Sequence, residues 1–253
     1  MTRLDVALVE RGLVGSRSRA ADLVKRGLVR VNGDVVVEVA RKVSSGDVLT
    51  VPAADSERVS RAGEKLAALL RRCEISVSGW ALDVGASTGG FTQVLLAAGA
   101  SKVVALDVGR GQLHPSLQQD DRVVELSGVN FRDVTRESLA GAIGGEVAFD
   151  FVTVDVSFIS LTQILPAVRA VAPDAQVAAL VKPQFEVGRD GLDGRGVVKS
   201  LALRNSAVRA VVACAESLGY RVSGFMPTPL RGVRGNQEIM LWSSPEGREY
   251  PQQ

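Results

Sequence analysis

Asp83-Val84-Gly85-Ala86-Ser87-Thr88-Gly89-Gly90-Phe91-Thr92 follows a short apolar run, Trp80 to Leu82, and precedes the apolar helical pattern of Val94, Leu95 and Ala98. It reads as a strand-to-helix turn, where glycines let backbone N–H groups come close to a ligand. The spacing, Asp-x-Gly-x-x-x-Gly-Gly, has neither the Lys of a phosphate loop nor the strict G-x-G-x-x-G of dinucleotide enzymes. It suits a ligand that carries a nucleoside without a pyrophosphate, and S-adenosylmethionine is the first candidate. Asp107 agrees, because it ends the next strand-like run, Lys102 to Leu106, where an acid can read ribose hydroxyls. A plain tight turn of an α/β protein has the same local look, so the turn alone leaves both readings open.

Outward from the turn, strand-like segments recur with helices between them: Arg122 to Leu126, Phe149 to Val154 and Ala175 to Val181. Such alternation predicts a mostly parallel, doubly wound sheet with ligands at the carboxyl ends of its strands. Those ends carry Asp83, Asp107, Asp155 and Lys182. A lysine ending a buried strand needs a carboxylate, and Asp155 on the neighbouring strand is the natural partner, as a site or as a structural ion pair. Asn130 and Arg132, just past the third strand, reach the adenine end of a ligand or are solvated loop residues. Gly188 to Gly196 carries four glycines and no periodicity, which predicts a mobile segment. It is either a lid whose Arg189 and Arg195 meet phosphate or a plain connector. A long helix from Leu201 to Leu218, a strand from Tyr220 to Met226 and a final strand from Gln237 to Trp242, started by Glu238, complete the pattern.

The N-terminal part is built differently. Helices are predicted from Leu4 to Gly12 and from a Ser16 cap to Gly27, followed by a Val29 to Val31 hairpin through Asn32-Gly33. The 253-residue chain has a formal charge of only +2. Nine basic and six acidic side chains up to Val51 give that part +3, which suits a polyanion. Arg3, Arg17, Arg19, Lys25, Arg26 and Arg30 are the candidates for phosphate contacts. Aromatic residues make up 4% of the chain, too few for extensive base stacking. Cys73 and Cys214 match no metal or disulfide spacing, and no apolar run approaches the ~18 residues that span a bilayer. The expectation is a cytoplasmic protein with no metal and no membrane partner; oligomeric state is open, and a monomer suffices.

Ser16 to Val24 followed by Gly27 to Gly33 resembles the αL RNA-binding fold of a small-subunit ribosomal protein. With Ser60-Arg61-Ala62-Gly63-Glu64-Lys65-Leu66, Asp83 to Thr92, Asp107-Val108-Gly109-Arg110-Gly111-Gln112-Leu113, Asp155 to Ser160, Val181 to Glu186 and Gly235-Asn236-Gln237-Glu238, the chain resembles the haemolysin A family of rRNA 2′-O-methyltransferases, with an FtsJ-like core. The resemblance implies an RNA-binding domain over residues 1–52, a linker over 53–59, a Rossmann-like methyltransferase domain over 60–245 and a tail over 246–253. It implies a catalytic tetrad of Lys65, Asp155, Lys182 and Glu238. A lysine made less basic by burial and by a second nearby cation can take the hydroxyl proton, and that role is assigned to Lys182 with Lys65 nearby. The resemblance places S-adenosylmethionine at Asp83, Gly85, Gly89 and Asp107, with Ala86, Ser87, Thr88, Gly90, Phe91, Val108, Asn130 and Asp155 around it. The methyl acceptors it implies are cytidine 2′-hydroxyls of ribosomal RNA in the ribosomal subunits. Where the family linker often carries a Trp, this chain runs Ser56-Glu57-Arg58-Val59-Ser60. A membrane-active haemolysin and a non-catalytic ribosome-assembly factor are the rival readings. His114 follows the Asp107 loop and is not required by the motif.

Overall fold

A computed structural model of the chain describes residues 1–15, 17–52, 59–232 and 234–247. It divides into two compact units, Met1–Arg61 and Ala62–Gln253. The expected linker falls largely on residues outside those described, as do the Ser16 cap and most of the tail.

The first unit runs β1 (Thr2–Arg3), α1 (Leu4–Glu10), α2 (Arg17–Lys25), β2 (Val29–Val31), β3 (Asp34–Val36), β4 (Lys42–Val43) and β5 (Leu49–Thr50). β2 lies between β3 and β5, antiparallel to both, and β1 pairs with β4. The β2–β3 hairpin turns through Asn32 (φ 54°) and Gly33 (φ 92°), two left-handed residues whose twist matches that of the strands. The alternation of the strands sends Val29, Val31, Val36 and Leu49 inward, onto Leu4, Leu8, Ala20, Leu23 and Val24 of the helices.

The second unit comprises α3 (Ala62–Arg72), β6 (Trp80–Val84), α4 (Gly90–Ala97), β7 (Lys102–Asp107), α5 (Pro115–Gln118), β8 (Val123–Ser127), α6 (Arg136–Ile143), β9 (Phe149–Val154), α7 (Leu165–Val171), β10 (Gln176–Val181), α8 (Pro183–Glu186), α9 (Leu201–Ser217), β11 (Tyr220–Pro227) and β12 (Ile239–Pro245). Its seven-stranded sheet has the order β11-β12-β10-β9-β6-β7-β8. β6 to β10 pair in parallel, while β12 runs antiparallel to both of its neighbours. The chain winds outward from β6 to β8, then returns to place β9 on the other side of β6. That reversal opens a crevice at the carboxyl ends of β6 and β9, the ligand position of open α/β sheets.

Helix α3 starts at Ala62, and Glu238 precedes β12 instead of starting it. All six residues of β10 are buried, as expected for a strand covered on both faces. Among the described residues no helix is long and apolar enough to cross a membrane. Leu82 of the central strand is fully buried among Val104, Val152 and Val154 in the core. Leu82→Ala is expected to cost about 2–5 kcal/mol, read as a lower urea midpoint with an unchanged slope.

Candidate active site

The turn after β6 is shaped by what glycine lacks. Gly85 has φ +88°, and a Cβ there would stand 2.7 Å from the carbonyl oxygen of Asp155. Only a residue without a side chain lets the turn lie against the segment that leaves β9. The turn is fastened to the next strand as well: Gly85 and Ala86 donate their N–H groups to Leu106 O at 2.8 and 3.1 Å. Ser87, itself left-handed at φ 48°, donates its N–H to Asp107 Oδ2 at 2.8 Å. The other Asp107 oxygen accepts from Gly109 N–H at 2.7 Å.

Beside the turn lies a recess lined by Ala86, Ser87, Ala105, Asp107, Gly109, Gln112, Leu113, Glu125 and Ser127. Glu125 and Ser127 were not singled out from the sequence. The parallel register pairs Ala105 with Glu125 and Asp107 with Ser127, so their period-2 spacing puts them on the face that carries Asp107. Val108, 72% exposed, stands next to this recess in the chain. Asn130 caps the short 3-10 turn Phe131–Asp133 by accepting from Arg132 N–H. His114 caps α5 through Ser116 N–H, and its own N–H donates to Thr88 O.

Two residues expected to touch the ligand are buried. Phe91 is 2% exposed and packs into the core. Asp83 is fully buried and accepts from Thr92 Oγ1 at 2.7 Å and Thr153 Oγ1 at 2.8 Å. It thereby joins β6 to β9 and to the start of α4, and direct ligand contact would need an oxygen already bonded to a threonine. Burial, reinforced by the charge of Asp155, raises its carboxyl pKa to about 6 against the pull of the two hydroxyls.

The four charged residues of the expected tetrad come to one edge of the sheet as two ion pairs. Lys65, in the first turn of α3, places Nζ 2.5 Å from Glu238 Oε2. Lys182, directly after β10, places Nζ 2.7 Å from Asp155 Oδ1. The Lys182 hydrogen bond goes to Ser157 Oγ at 2.8 Å, and Asp155 Oδ1, though close in charge, accepts no hydrogen bond. The antiparallel pairing of Val181 with Ile239 sets Lys182 next to Glu238 in register. All four side chains are at most 15% exposed. A charge so withdrawn from water needs a counter-charge, and removing one member of such a pair costs about 3–5 kcal/mol.

The expected phosphate contacts divide. Lys25, Arg26 and Arg30 are exposed, as is Arg17. Arg3 and Arg17 both bond to buried Asp5, and Arg3 first, then Arg17, holds that carboxyl below its ordinary value. Arg19 does not fit the expectation of a free cation: it is 4% exposed and packed against Asp22, which also meets Arg26 and Arg61. Arg189 and Arg195 are exposed, but the segment that carries them is not the unanchored loop its glycines predict. Asp193 accepts from Arg195 and Val197 N–H groups. Buried Asn236 donates to Gly196 O and accepts from Val198 N–H, each at 2.9 Å.

The model of the FtsJ-like methyltransferase family matches residues 58–244, and that of the S4 domain residues 2–49. The chain is 49% identical over 244 residues to the 16S/23S rRNA (cytidine-2′-O)-methyltransferase TlyA of Mycobacterium tuberculosis, covering 95% of this chain and 88% of that protein. It is 37% identical over 244 residues to hemolysin A of Brachyspira hyodysenteriae, covering 94% and 98%. The solved structure of a Streptococcus thermophilus protein, named as a hemolysin candidate, superposes with a TM-score of 0.76 at 37% identity, covering 97% of this chain and 88% of that one.

The raised pKa of Asp83 has a sign that stability can report. The folded state binds the proton more tightly than the unfolded state, so stability falls as pH rises from the ordinary 3.8 to about 6. Asp83→Asn is expected to abolish this slope. Paired urea titrations of the two proteins across pH 4 to 7 check it, and equal slopes would overturn it.

Proposed function

The chain belongs to the FtsJ-like methyltransferase family, and we propose that it transfers the methyl group of S-adenosylmethionine to a cytidine 2′-hydroxyl of ribosomal RNA. The observation that carries the reading is the pair of alternating ion contacts, Lys65 with Glu238 and Lys182 with Asp155, beside the glycine turn. The nucleoside half of the cofactor fits the donor set of the recess: a carboxylate at Asp107, hydroxyls at Ser87 and Ser127, an amide at Gln112 and the apolar wall of Ala86, Ala105 and Leu113. Gly85, Thr88, Gly89 and Gly90 bring the turn backbone close, with Val108 and Asn130 at the flank. When bound, S-adenosylmethionine supplies an electrophilic methyl group.

The residues of the chain do the rest by position and charge. An in-line displacement gains most from holding oxygen, carbon and sulfur in a line, and the cleft between β6 and β9 is where the fold lets a ribose meet the turn. Lys182 takes up the hydroxyl proton as the methyl group is transferred. The ammonium it becomes is met by Asp155 at 2.7 Å and by Ser157 at 2.8 Å. Lys65 holds the second positive charge against Glu238 and favours negative charge growing on the ribose oxygen. The S4 domain carries exposed Arg17, Lys25, Arg26 and Arg30, and with Arg189 and Arg195 these meet RNA phosphates. RNA recognition then rests mainly on shape, phosphate and 2′-hydroxyl contacts.

Tritiated methyl transfer to ribosomal subunits from an unmodified strain, with the site mapped by reverse-transcription stops, tests the reaction. Lys182→Ala is expected to lower turnover about 10²- to 10⁴-fold while calorimetry finds S-adenosylmethionine binding intact. A methyl group on a base, or near-normal turnover of the variant, would sink the reading.

A further inference from the structure

The loops carrying Asp155 and Lys182 are joined a second time, away from the charged pairs. After β9 the chain runs as a strap from Asp155 to Ser160 into a 3-10 turn, Leu161–Gln163. After β10 it turns through the short helix α8, whose last residue is Glu186. Glu186 Oε2 accepts from Ser160 Oγ at 2.5 Å, and Oε1 accepts from Leu161 N–H at 2.9 Å. Each oxygen of one carboxylate therefore holds one residue at the far end of the strap. Lys182 holds the near end, through Asp155 and Ser157. Between the two ties, Phe158 and Phe185 face each other with ring centroids 5.1 Å apart.

The strap has reason to need both ties. Phe158 is left-handed, at φ 66°, a conformation that costs a side-chain-bearing residue on the order of 1–2 kcal/mol and persists only where the surroundings enforce it. It is also 88% exposed, so no core packing fixes it. Glu186 is buried enough that its carboxyl pKa lies above the ordinary value, although the bonds from Ser160 and Leu161 pull the other way. Its charge faces Cys214 of α9, whose thiol is pushed up by burial and by Glu186. A carboxylate kept under a helix and spent wholly on the strap is a fixed point for it.

We propose that Glu186 is a positioning residue for methyl transfer: its grip on Ser160 and Leu161 sets the strap so that Asp155 and Ser157 meet Lys182. The inference rests on the reaction proposed above, and Glu186 acts through the strap without touching substrate or cofactor. Loss of both bonds frees the strap to relax at Phe158 and draws Ser157 away from Lys182 Nζ. A displacement of about 1 Å at reacting groups is enough for a roughly 10²-fold loss of rate.

The test compares Glu186→Ala, Glu186→Gln, Ser160→Ala and the double Ser160→Ala/Glu186→Ala. Glu186→Ala is expected to lower kcat by about 10- to 100-fold, with unchanged KM for RNA, S-adenosylmethionine affinity and thermal midpoint. Glu186→Gln should recover most of the loss, because its amide oxygen still accepts from Leu161 and its NH₂ still meets Ser160. The double variant should be no slower than Glu186→Ala alone. Wild-type kcat in Glu186→Ala, or a loss matched by weaker cofactor binding or a lower midpoint, overturns the proposal. A crystal structure of Glu186→Ala reads the same point without turnover: Phe158 should leave the left-handed region and Ser157 should part from Lys182. An unchanged strap overturns it even if the wild-type protein methylates no RNA, whereas wild-type inactivity with a displaced strap counts against the reaction alone.

Discussion

Two ammonium groups cannot be drawn out of water at one edge of a sheet unless two carboxylates come with them. The second unit satisfies this with four different elements. α3 brings Lys65, the end of β9 brings Asp155, the end of β10 brings Lys182, and the approach to β12 brings Glu238. A wholly parallel sheet would carry the start of β12 to the opposite edge. Because β12 runs antiparallel to β10, its beginning lies where β10 ends, and the fourth charge reaches the other three. The antiparallel strand is thus a requirement of the charge balance as well as of the sheet.

The glycine turn and the charged pairs depend on each other through backbone. Gly85 leaves room for the Asp155 carbonyl, and Asp83 ties β6 to β9 through Thr153. The recess beside the turn and the edge that holds the lysines are therefore parts of one rigid junction. The strands and their hydrogen bonds hold this junction, and side chains fix the strap from Asp155 to Ser160.

Much of this was legible in the sequence, for a physical reason. A polar residue that ends a buried apolar run interrupts the pattern, so Asp83, Asp107, Asp155 and Lys182 announce themselves at strand ends. The place of Lys65 and Glu238 in one tetrad is implied only by resemblance to a family, and their pairing, 173 residues apart, leaves no such trace. Glu125 and Ser127 line the recess through strand register, which one sequence does not state. The burial of Arg19 was within reach, since it lies four residues before Leu23 and shares its helical face. The braced turn around Asp193 was not: its ties come from Asn236, far along the chain, and glycine content reports freedom without reporting what restrains it.

The antiparallel strand has a further consequence, in time instead of space. Domains form as the chain emerges, N-terminal parts first. Lys65 is made before the parallel strands, and its carboxylate partner Glu238 only after all of them. Until β12 arrives, β10 has an open edge and the lysine of α3 has no reason to leave water. The nascent chain can therefore build the recess beside the glycine turn before its two ion pairs are complete. The insertion of one strand turns a formed binding fold into a completed charge network.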